Sequence, residues 1–359
     1  MKICYFGIYN PKYSRNRVII KGLKENGIEV IECSSNLSGL RKYFDLIKKH
    51  KKIKKDYDLM IVGFPSNQAA FLAKFLTRKP VIADAFVSFY DSMIFDRKNH
   101  SPRSLPALYY WFLDWLPARF SDLVLLDTRV HINYFVRTFG IREEKFERVL
   151  VGTDESEIYF DPALKKKLDY FLVHYHASFL PLQGTEYIIK AAKILEKENI
   201  RFNIIGSGPE YNKIIKLAQS LETNNTEFIK PVPYEKLRQY ISVADICLGI
   251  FGQTPKTSRV IPNKIYEAIA CGKAVITADE PAIHEVFTDG SNIVLCHSAD
   301  PKDLAEKILF LRDHQALRQR IADSAYEFFL YKLTPRVIVE QLIKRLKKEF
   351  LNDKARENV

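Results

Sequence analysis

The stretch Arg259–Gly272, R-V-I-P-N-K-I-Y-E-A-I-A-C-G, lies between two apolar runs, residues 246–250 and 274–276. Short apolar runs of this kind are typical of buried parallel strands. From Lys264 onward the apolar residues recur at helical spacing, and a glycine follows where the helix should end. The stretch therefore predicts a loop and a helix that connect two strands of a parallel sheet.

Two charged side chains fall in the first turn of this predicted helix. Asn263 is the expected N-cap, and Lys264, Ile265 and Glu267 follow it. In parallel sheets covered by helices, ligands bind at the carboxyl ends of the strands, where free N–H groups and the helix dipole attract anions. Lys264 would strengthen an anion site there, and Glu267 could accept hydrogen bonds from sugar hydroxyl groups. The alternative is a solvated lysine and a glutamate that only complements the helix dipole.

The segments NKIYEAIACGKAVITAD and PAIHEVFTDGSNIVL resemble the donor-site signature of the GT-B glycosyltransferases, family 4 in particular. In that family the E-A-x-A-x-G helix carries the glutamate that holds the ribose of the donor, so the resemblance assigns this role to Glu267. The segment IIGSGPE resembles the V-G-D-G-P turn of the family and places Gly206 and Gly208 at the donor site. Residues 228–234 resemble its F-x-G-x-V-P-Y segment, in which backbone groups near Val232 would pair with the base.

The sequence departs from the family pattern at three donor-site positions. Members commonly hold the donor pyrophosphate with an arginine and a lysine, and here these positions are Ser178 and Gln183. A glutamate that contacts the donor sugar is replaced by Arg259. The pyrophosphate would then be balanced by Lys264, by helix N-termini and by Arg259. Alternatively, Arg259 pairs with a carboxylate on an acidic donor sugar, or the chain has lost catalysis.

Strand-like and helix-like segments alternate through both halves of the chain, which predicts an α/β protein with two parallel, helix-covered sheets. No G-x-G-x-x-G follows the first strand, so no dinucleotide cofactor is expected. The resemblance implies two Rossmann-like domains that face each other across a cleft (GT-B). We expect an acceptor-binding domain over residues 1–160, a nucleotide-sugar-binding domain over 161–334, and a C-terminal helix, 335–359, that packs on the first domain.

Two aspartates in the first half are candidate catalytic residues. Asp84 ends a predicted strand, at a position where family 4 often has a histidine that faces the reaction centre, and Asp91 follows shortly after. A carboxylate at this edge could orient or deprotonate an acceptor hydroxyl group. The alternative for Asp84 is a structural aspartate that caps the following helix.

The net charge of +12 is concentrated in the first half of the chain, since residues 1–150 hold 26 Lys and Arg against 15 Asp and Glu. The densest part is residues 48–55, which is either a solvated helix end or a face that binds an anionic membrane surface. The aromatic segment 104–120 fits either a membrane interface or a buried packing helix, and we favour the second. No recognition motif accompanies the basic run, so no nucleic acid partner is expected.

The remaining composition excludes several classes of protein. The five cysteines are scattered without a C-x-x-C pair, which predicts buried free thiols and no zinc site. No run of about 18 apolar residues predicts a membrane-spanning helix. The N-terminus reads as a strand rather than a signal peptide. We expect a cytoplasmic protein, with peripheral attachment to the inner face of the plasma membrane as a hypothesis.

The resemblance implies a retaining glycosyltransferase that needs neither a metal nor a cofactor. Its donor would be a UDP- or GDP-sugar, and its acceptor a lipid-linked saccharide or a surface polysaccharide. Three alternatives remain at this stage. These are an inactive nucleotide- or sugar-binding protein, a nucleotide-sugar epimerase, and a membrane-surface scaffold without nucleotide binding.

Overall fold

A computed structural model describes residues 1–164 and 168–351 of the chain. The chain divides into two compact units. Unit 1 comprises residues 1–94, 98–154 and 333–351, and unit 2 comprises residues 95–97, 155–164 and 168–332. The predicted domain boundary at residue 160 lies close to the passage from one unit to the other.

Unit 1 is built on a six-stranded parallel sheet in the order β2-β1-β3-β4-β5-β6. The strands are β1 (Lys2–Gly7), β2 (Glu29–Ser34), β3 (Leu59–Val62), β4 (Val81–Phe86), β5 (Leu123–Leu126) and β6 (Phe146–Arg148). The helices that follow these strands are α1 (Ser14–Glu25), α2 (Arg41–Ile53), α3 (Ala70–Leu76), α4 (Leu105–Phe120) and α5 (Arg129–Phe139).

Strand β1 shows how both faces of this sheet are covered. Ile3 and Tyr5 join one buried cluster, and Cys4 and Phe6 join another. Successive side chains of a strand point to opposite faces, so a strand that is apolar throughout is buried on both. The continuous apolar run that predicted β1 therefore follows from its central position in the sheet.

Unit 2 repeats the architecture with a parallel sheet in the order β12-β11-β10-β7-β8-β9. The strands are β7 (Phe171–Ser178), β8 (Ile200–Ser207), β9 (Thr226–Ile229), β10 (Ile246–Leu248), β11 (Ala274–Ala278) and β12 (Val294–Cys296). The helices are α6 (Thr185–Ile194), α7 (Tyr211–Ser220), α8 (Tyr234–Val243), α9 (Asn263–Ala270), α10 (Pro301–Asp313) and α11 (Gln315–Lys332). The prediction of two Rossmann-like units on parallel sheets is confirmed.

The last helix, α12 (Pro335–Phe350), belongs to unit 1 and packs against α1. The two helices approach so closely that a Cβ atom on Gly22 would lie 2.3 Å from the carbonyl oxygen of Pro335. The predicted C-terminal helix thus lies on the first unit, while residues 352–359 of that prediction lie outside the described residues.

Candidate functional site

The motif-bearing loops of unit 2 all leave the carboxyl ends of parallel strands. In the order β12-β11-β10-β7-β8-β9, the strands β7 to β9 extend the sheet to one side and the strands β10 to β12 extend it to the other. The order in which the chain adds strands therefore reverses between β7 and β10. Such a reversal opens a crevice where doubly wound sheets bind ligands. Helix α6 follows β7 and helix α9 follows β10, so these two helices begin beside the crevice, and α9 carries Lys264 and Glu267.

Helix α9 begins at Asn263, and Pro262 occupies the N-cap position in extended conformation. Asn263 is therefore the first helical residue rather than the N-cap that the sequence predicted, because proline suits a position without a required N–H donor. Every helix residue from Lys264 to Ala270 is buried. A lysine and a glutamate, Lys264 and Glu267, are thus held in the first turn of a buried helix.

Lys264 is 6% exposed, and its Nζ atom contacts two side chains of the β7–α6 segment. Its Nζ donates to Gln183 Oε1 at 2.5 Å and lies 4.1 Å from the ring centroid of Tyr175. Burial holds the pKa of Lys264 well below its ordinary value, while the charge of Glu267 acts in the opposite direction. The fold therefore keeps a desolvated amine at the crevice with no carboxylate hydrogen-bonded to it among the described contacts.

Gln183 belongs to a small polar network at the start of α6. Its Oε1 also lies 3.4 Å from the hydroxyl group of Tyr175, which is 3.1 Å from Oγ1 of Thr185. Burial raises the pKa of Tyr175. Two residues that the sequence assigned to donor binding, Gln183 and Lys264, are thus in direct contact.

Glu267 is 4% exposed and is hydrogen-bonded to His176. The distance between His176 Nε2 and Glu267 Oε2 is 2.8 Å. His176 also contacts His174. Burial, together with the neighbouring His176, holds the pKa of His174 well below its ordinary value. The candidate ribose-binding carboxylate is therefore anchored by a histidine of the adjacent strand β7.

Two glycines, Gly206 and Gly208, lie at the end of β8, where its backbone comes close to the end of β7. Gly206 has φ +145°, and a Cβ atom there would lie 1.9 Å from the carbonyl oxygen of Ala177. Gly208 has φ +152°, and its Cβ would lie 2.6 Å from the nitrogen of Phe179. Neither position can hold a side chain, so the GSG segment packs its backbone directly against the end of β7, with Gly206 buried and Gly208 exposed.

The other predicted donor-site residues occupy the same edge of unit 2. Ser178 is the last residue of β7 and is exposed, and Arg259 ends a short 3-10 turn and is half-buried. Val232 is half-buried between β9 and α8. Ile265 is fully buried, so that only its backbone could approach a ligand. The role of each in donor binding stays a prediction.

The two candidate catalytic aspartates belong to unit 1, and both are fully buried. Asp84 binds the guanidinium group of Arg15 and caps no helix. The backbone N–H of Asp91 donates to Ser88 Oγ. Direct contact of either carboxylate with an acceptor would require exposure that this structure does not give them, so their catalytic role stays a prediction.

Sequence reasoning missed three residues at this site. His174 and His176 alternate along β7 and therefore share one face of the strand, a signal that the H-x-H spacing already contained. Asp96, buried in unit 2, accepts the N–H of Leu182 and the hydroxyl group of Thr254. It ties the β7–α6 loop to the β10–α9 loop, and no local pattern marks that role.

One D-x-D sequence occurs in the chain, Asp56-Tyr57-Asp58, just before β3. Asp58 accepts the backbone N–H of Lys2, and Tyr57 is buried. This pair therefore lies at the amino end of the strands of unit 1, whereas ligand sites of such sheets lie at the carboxyl ends. Among residues 1–164 and 168–351, no group of three or more His, Cys, Asp or Glu is placed to hold a metal ion.

Two parallel six-stranded sheets with helices on both faces, one of them bearing this crevice, define the class of the GT-B glycosyltransferases. Residues 157–328 match the family model "Glycosyl transferases group 1". Unit 2 therefore contains a segment that is similar to the group 1 glycosyltransferases. The matched segment contains Glu267, Lys264 and the GSG turn, so the resemblance noted in the sequence is confirmed.

The chain is similar in fold to HepE from Anabaena, whose structure was solved in complex with UDP and glucose. The TM-score is 0.74 at 19% identity, over 97% of this chain and 100% of HepE. An uncharacterized glycosyltransferase of Methanocaldococcus jannaschii is 26% identical over 160 residues, which is 45% of this chain and 43% of the relative. The chitobiosyldiphosphodolichol beta-mannosyltransferase of Candida albicans is 24% identical over 255 residues, 65% of this chain and 54% of the relative. The chain thus spans about half the length of these two relatives.

Proposed function

We propose that this protein is a glycosyltransferase that transfers a sugar from a UDP- or GDP-sugar to a lipid-linked saccharide or a surface polysaccharide. The observation that carries the proposal is that the first turn of α9 holds both a buried amine, Lys264, and a buried carboxylate, Glu267. A diphosphate needs cations and N–H donors, and a ribose needs a carboxylate acceptor. One helix end supplies both within the group 1 domain.

Lys264 compensates for the cations that are missing at Ser178 and Gln183. Its Nζ reaches Gln183 Oε1, so the ammonium group stands beside the position where family 4 members place a lysine. The departing diphosphate would be stabilised by this charge and by the N-termini of α6 and α9. This arrangement requires no metal, and the resemblance to family 4 implies retention at the anomeric carbon. The stereochemistry of the product and activity after chelation test these two points.

The choice of donor and acceptor draws on the similar proteins. The solved structure of HepE contains UDP and glucose, which makes UDP the first nucleotide to test. The name of the Candida relative specifies a saccharide on diphosphodolichol, which supports a lipid-linked acceptor. We assign acceptor binding to unit 1, which carries the excess of positive charge.

A lipid-linked acceptor would require access to a membrane surface, and unit 1 has an exposed apolar face that suits one. This apolar face of α3 and α4 consists of Phe71, Phe75, Leu105, Leu108, Tyr109, Phe112 and Phe120. Phe71 joins the two helices, since its ring lies 4.6 Å from that of Phe75 and 5.9 Å from that of Phe120. Leu105 is 82% exposed, so the interpretation of this helix as wholly buried packing is wrong.

Aromatic and aliphatic side chains next to cations are typical of peripheral membrane faces. The exposed Arg119 lies on α4, while Lys74 on α3 is already paired with Asp122. We therefore assign to the apolar face of α3 and α4 the role of docking on an anionic bilayer. None of the described helices is long and apolar enough to cross a membrane.

The test of the donor site is a thermal-shift panel with UDP, GDP, ADP and CMP. Ligand at about 100 times its dissociation constant adds about 2.7 kcal/mol to the free energy of unfolding. We expect one nucleotide to stabilise the protein and Glu267→Ala to remove the effect. Glu306→Ala, an exposed glutamate on α10, is the matched control and should respond like the unmodified chain.

Three outcomes separate the proposal from its alternatives. Stabilisation by one nucleotide together with sugar transfer to a lipid-linked saccharide supports it. Nucleotide binding without transfer to any acceptor points to an inactive binding protein, or to an epimerase if the donor sugar itself is converted. No stabilisation by any of the four nucleotides would show that the substitutions at Ser178, Gln183 and Arg259 mark a lost donor site.

A further inference from the structure

A chain of four hydrogen-bonded side chains in unit 2 ends at Glu267. His174 Nδ1 lies 2.5 Å from Asn203 Oδ1, and His174 Nε2 lies 2.9 Å from His176 Nδ1. His176 Nε2 lies 2.8 Å from Glu267 Oε2. The sequence motifs of the donor site include none of the first three residues, and the role proposed above uses only the last.

The fold places these residues together through sheet register. His174 and Asn203 are directly paired across β7 and β8, and His176 follows two residues later on the same face of β7. His174 is 1% exposed and Asn203 is 6% exposed, while the side chain of His176 retains 14%. A polar chain buried to this degree costs stability unless each member is hydrogen-bonded, and here each one is.

Glu267 fixes the direction of its own hydrogen bond. A carboxylate only accepts, so His176 donates from Nε2. His176 Nδ1 and His174 Nε2 share one proton, and its position follows from the orientation of the Asn203 amide group. In either arrangement Glu267 receives a hydrogen bond from a histidine that is itself held in place.

We propose that His176 is a positioning residue for the nucleotide donor: it holds Oε2 of Glu267 so that Oε1 faces the vicinal hydroxyl groups of a ribose. No described protein contact engages Oε1 by a hydrogen bond, so this oxygen is left for a ligand. The inference rests on the proposed function and makes it more specific, because it names how this chain reads the sugar of the nucleotide. His174 and Asn203 act behind His176 by fixing its ring.

The experiment measures dissociation constants for UDP and for 2′,3′-dideoxy-UDP by calorimetry. If GDP is the stabilising nucleotide, GDP and its dideoxy form are used. The unmodified chain should bind the ribose form at least about tenfold more tightly, since the dideoxy form leaves a charged acceptor without its donors. The ratio of the two constants reports the ribose contact alone, whereas a general loss of structure weakens both ligands together.

An isosteric pair of variants separates positioning from packing. Asparagine at position 176 places its amide group near the position of Nδ1, so it cannot reach Glu267. Glutamine places its amide group near the position of Nε2, so it can still donate to Glu267. We expect His176→Asn to reduce the ribose preference to less than about threefold with unchanged affinity for the dideoxy form, and His176→Gln to retain most of the preference. His314→Ala, an exposed histidine after α10, should behave as the unmodified chain.

A second variant keeps the inference testable if His176→Asn does not fold. His174→Phe preserves an aromatic ring on β7 but removes the hydrogen-bond partner of His176 Nδ1, and it should also lower the ribose preference. A full preference in both His176→Asn and His174→Phe would overturn the inference, as would an equal loss of affinity for both ligands. If the unmodified chain binds neither ligand, the proposed function itself fails, a result that differs from binding with an unchanged ratio.

Discussion

Arg15 and Asp84 form a completely buried ion pair in unit 1. Arg15 Nε lies 3.0 Å from Asp84 Oδ2, and Arg15 Nη2 lies 3.1 Å from Oδ1. A third nitrogen of the guanidinium group, Nη1, donates to the carbonyl oxygen of Val149 at 2.6 Å. Both side chains are 0% exposed. The pair therefore links the first turn of α1 to strand β4 and to the segment after β6.

Asp84→Asn should lower the free energy of unfolding of unit 1 by about 3 to 5 kcal/mol, because it leaves the guanidinium group of Arg15 buried without its counter-charge. Urea unfolding followed by tryptophan fluorescence measures the change in this unit. Both tryptophans, Trp111 and Trp115, lie on α4 and so report on unit 1 alone.

The matched control is Glu29→Gln, which removes the exposed partner of Lys2. Exposed pairs contribute little, so this variant should stay within about 0.5 kcal/mol of the unmodified chain. An Asp84→Asn protein of unchanged stability that has lost sugar transfer would contradict a structural role and favour the catalytic hypothesis for Asp84.

Nucleotide binding should be coupled to proton uptake by Lys264. Burial holds its pKa well below the ordinary 10.5, so between that lowered pKa and 10.5 the unfolded chain binds more protons than the empty native protein. The stability of the empty protein therefore rises with pH across this window. A bound diphosphate favours the ammonium form, so affinity for UDP should fall as pH rises.

Calorimetry in buffers of different ionisation enthalpy measures this proton uptake directly. We expect uptake with UDP and none with uridine, which lacks the diphosphate. Lys264→Met should remove the uptake and weaken UDP binding far more than uridine binding. Persistent uptake in Lys264→Met would assign the proton to another group and reject this coupling.

The apolar face of α3 and α4 should bind vesicles that contain anionic lipid. Replacing two of its most exposed members, Phe75→Gln with Leu105→Gln, removes apolar area that would be buried in the bilayer. We expect vesicle partitioning to fall about tenfold or more. Added salt should weaken binding of the unmodified chain, since surface charges are screened.

A double substitution in unit 2 provides the control for vesicle binding. Leu330 and Tyr331 are also exposed, at the end of α11, but they lie outside the basic first half of the chain. Leu330→Gln with Tyr331→Gln should leave partitioning unchanged. Equal loss in the two double variants, or equal binding to zwitterionic vesicles, would argue against a specific docking face.

The thiol groups of unit 2 should be almost unreactive in the native protein. Cys247, Cys271 and Cys296 are buried, and burial raises the pKa of each, to about 12 for Cys271. Since only the thiolate reacts, titration with a disulfide reagent near neutral pH should be slow until denaturant is added. Ser220→Cys, on the exposed end of α7, should react at once and serves as the control. Rapid reaction of these thiols in the native protein would contradict the prediction that they are inaccessible.

Local patterns were sufficient to predict most of the fold. The apolar runs at residues 246–250 and 274–276 predict β10 and β11 correctly, because strands buried on both faces need apolar residues throughout. The helix that carries Glu267 was recognised from its spacing and its terminal glycine. The predicted start of this helix is one residue too late, because Asn263 was expected to be the N-cap. Pro262 occupies that position, and it lacks the side-chain acceptor by which N-caps are usually identified.

The sequence by itself determined which residues line the edge of the sheet, since every motif loop follows a parallel strand and must leave its carboxyl end. Only the tertiary structure decided which of these side chains meet. Lys264 contacts Gln183 across 81 positions, and His176 contacts Glu267 across 91. Asp84, a candidate catalytic residue at a predicted strand end, is buried and is bound by Arg15, which lies 69 positions away. Contacts of this kind depend on strand order and register, which set distances between residues that no local periodicity relates.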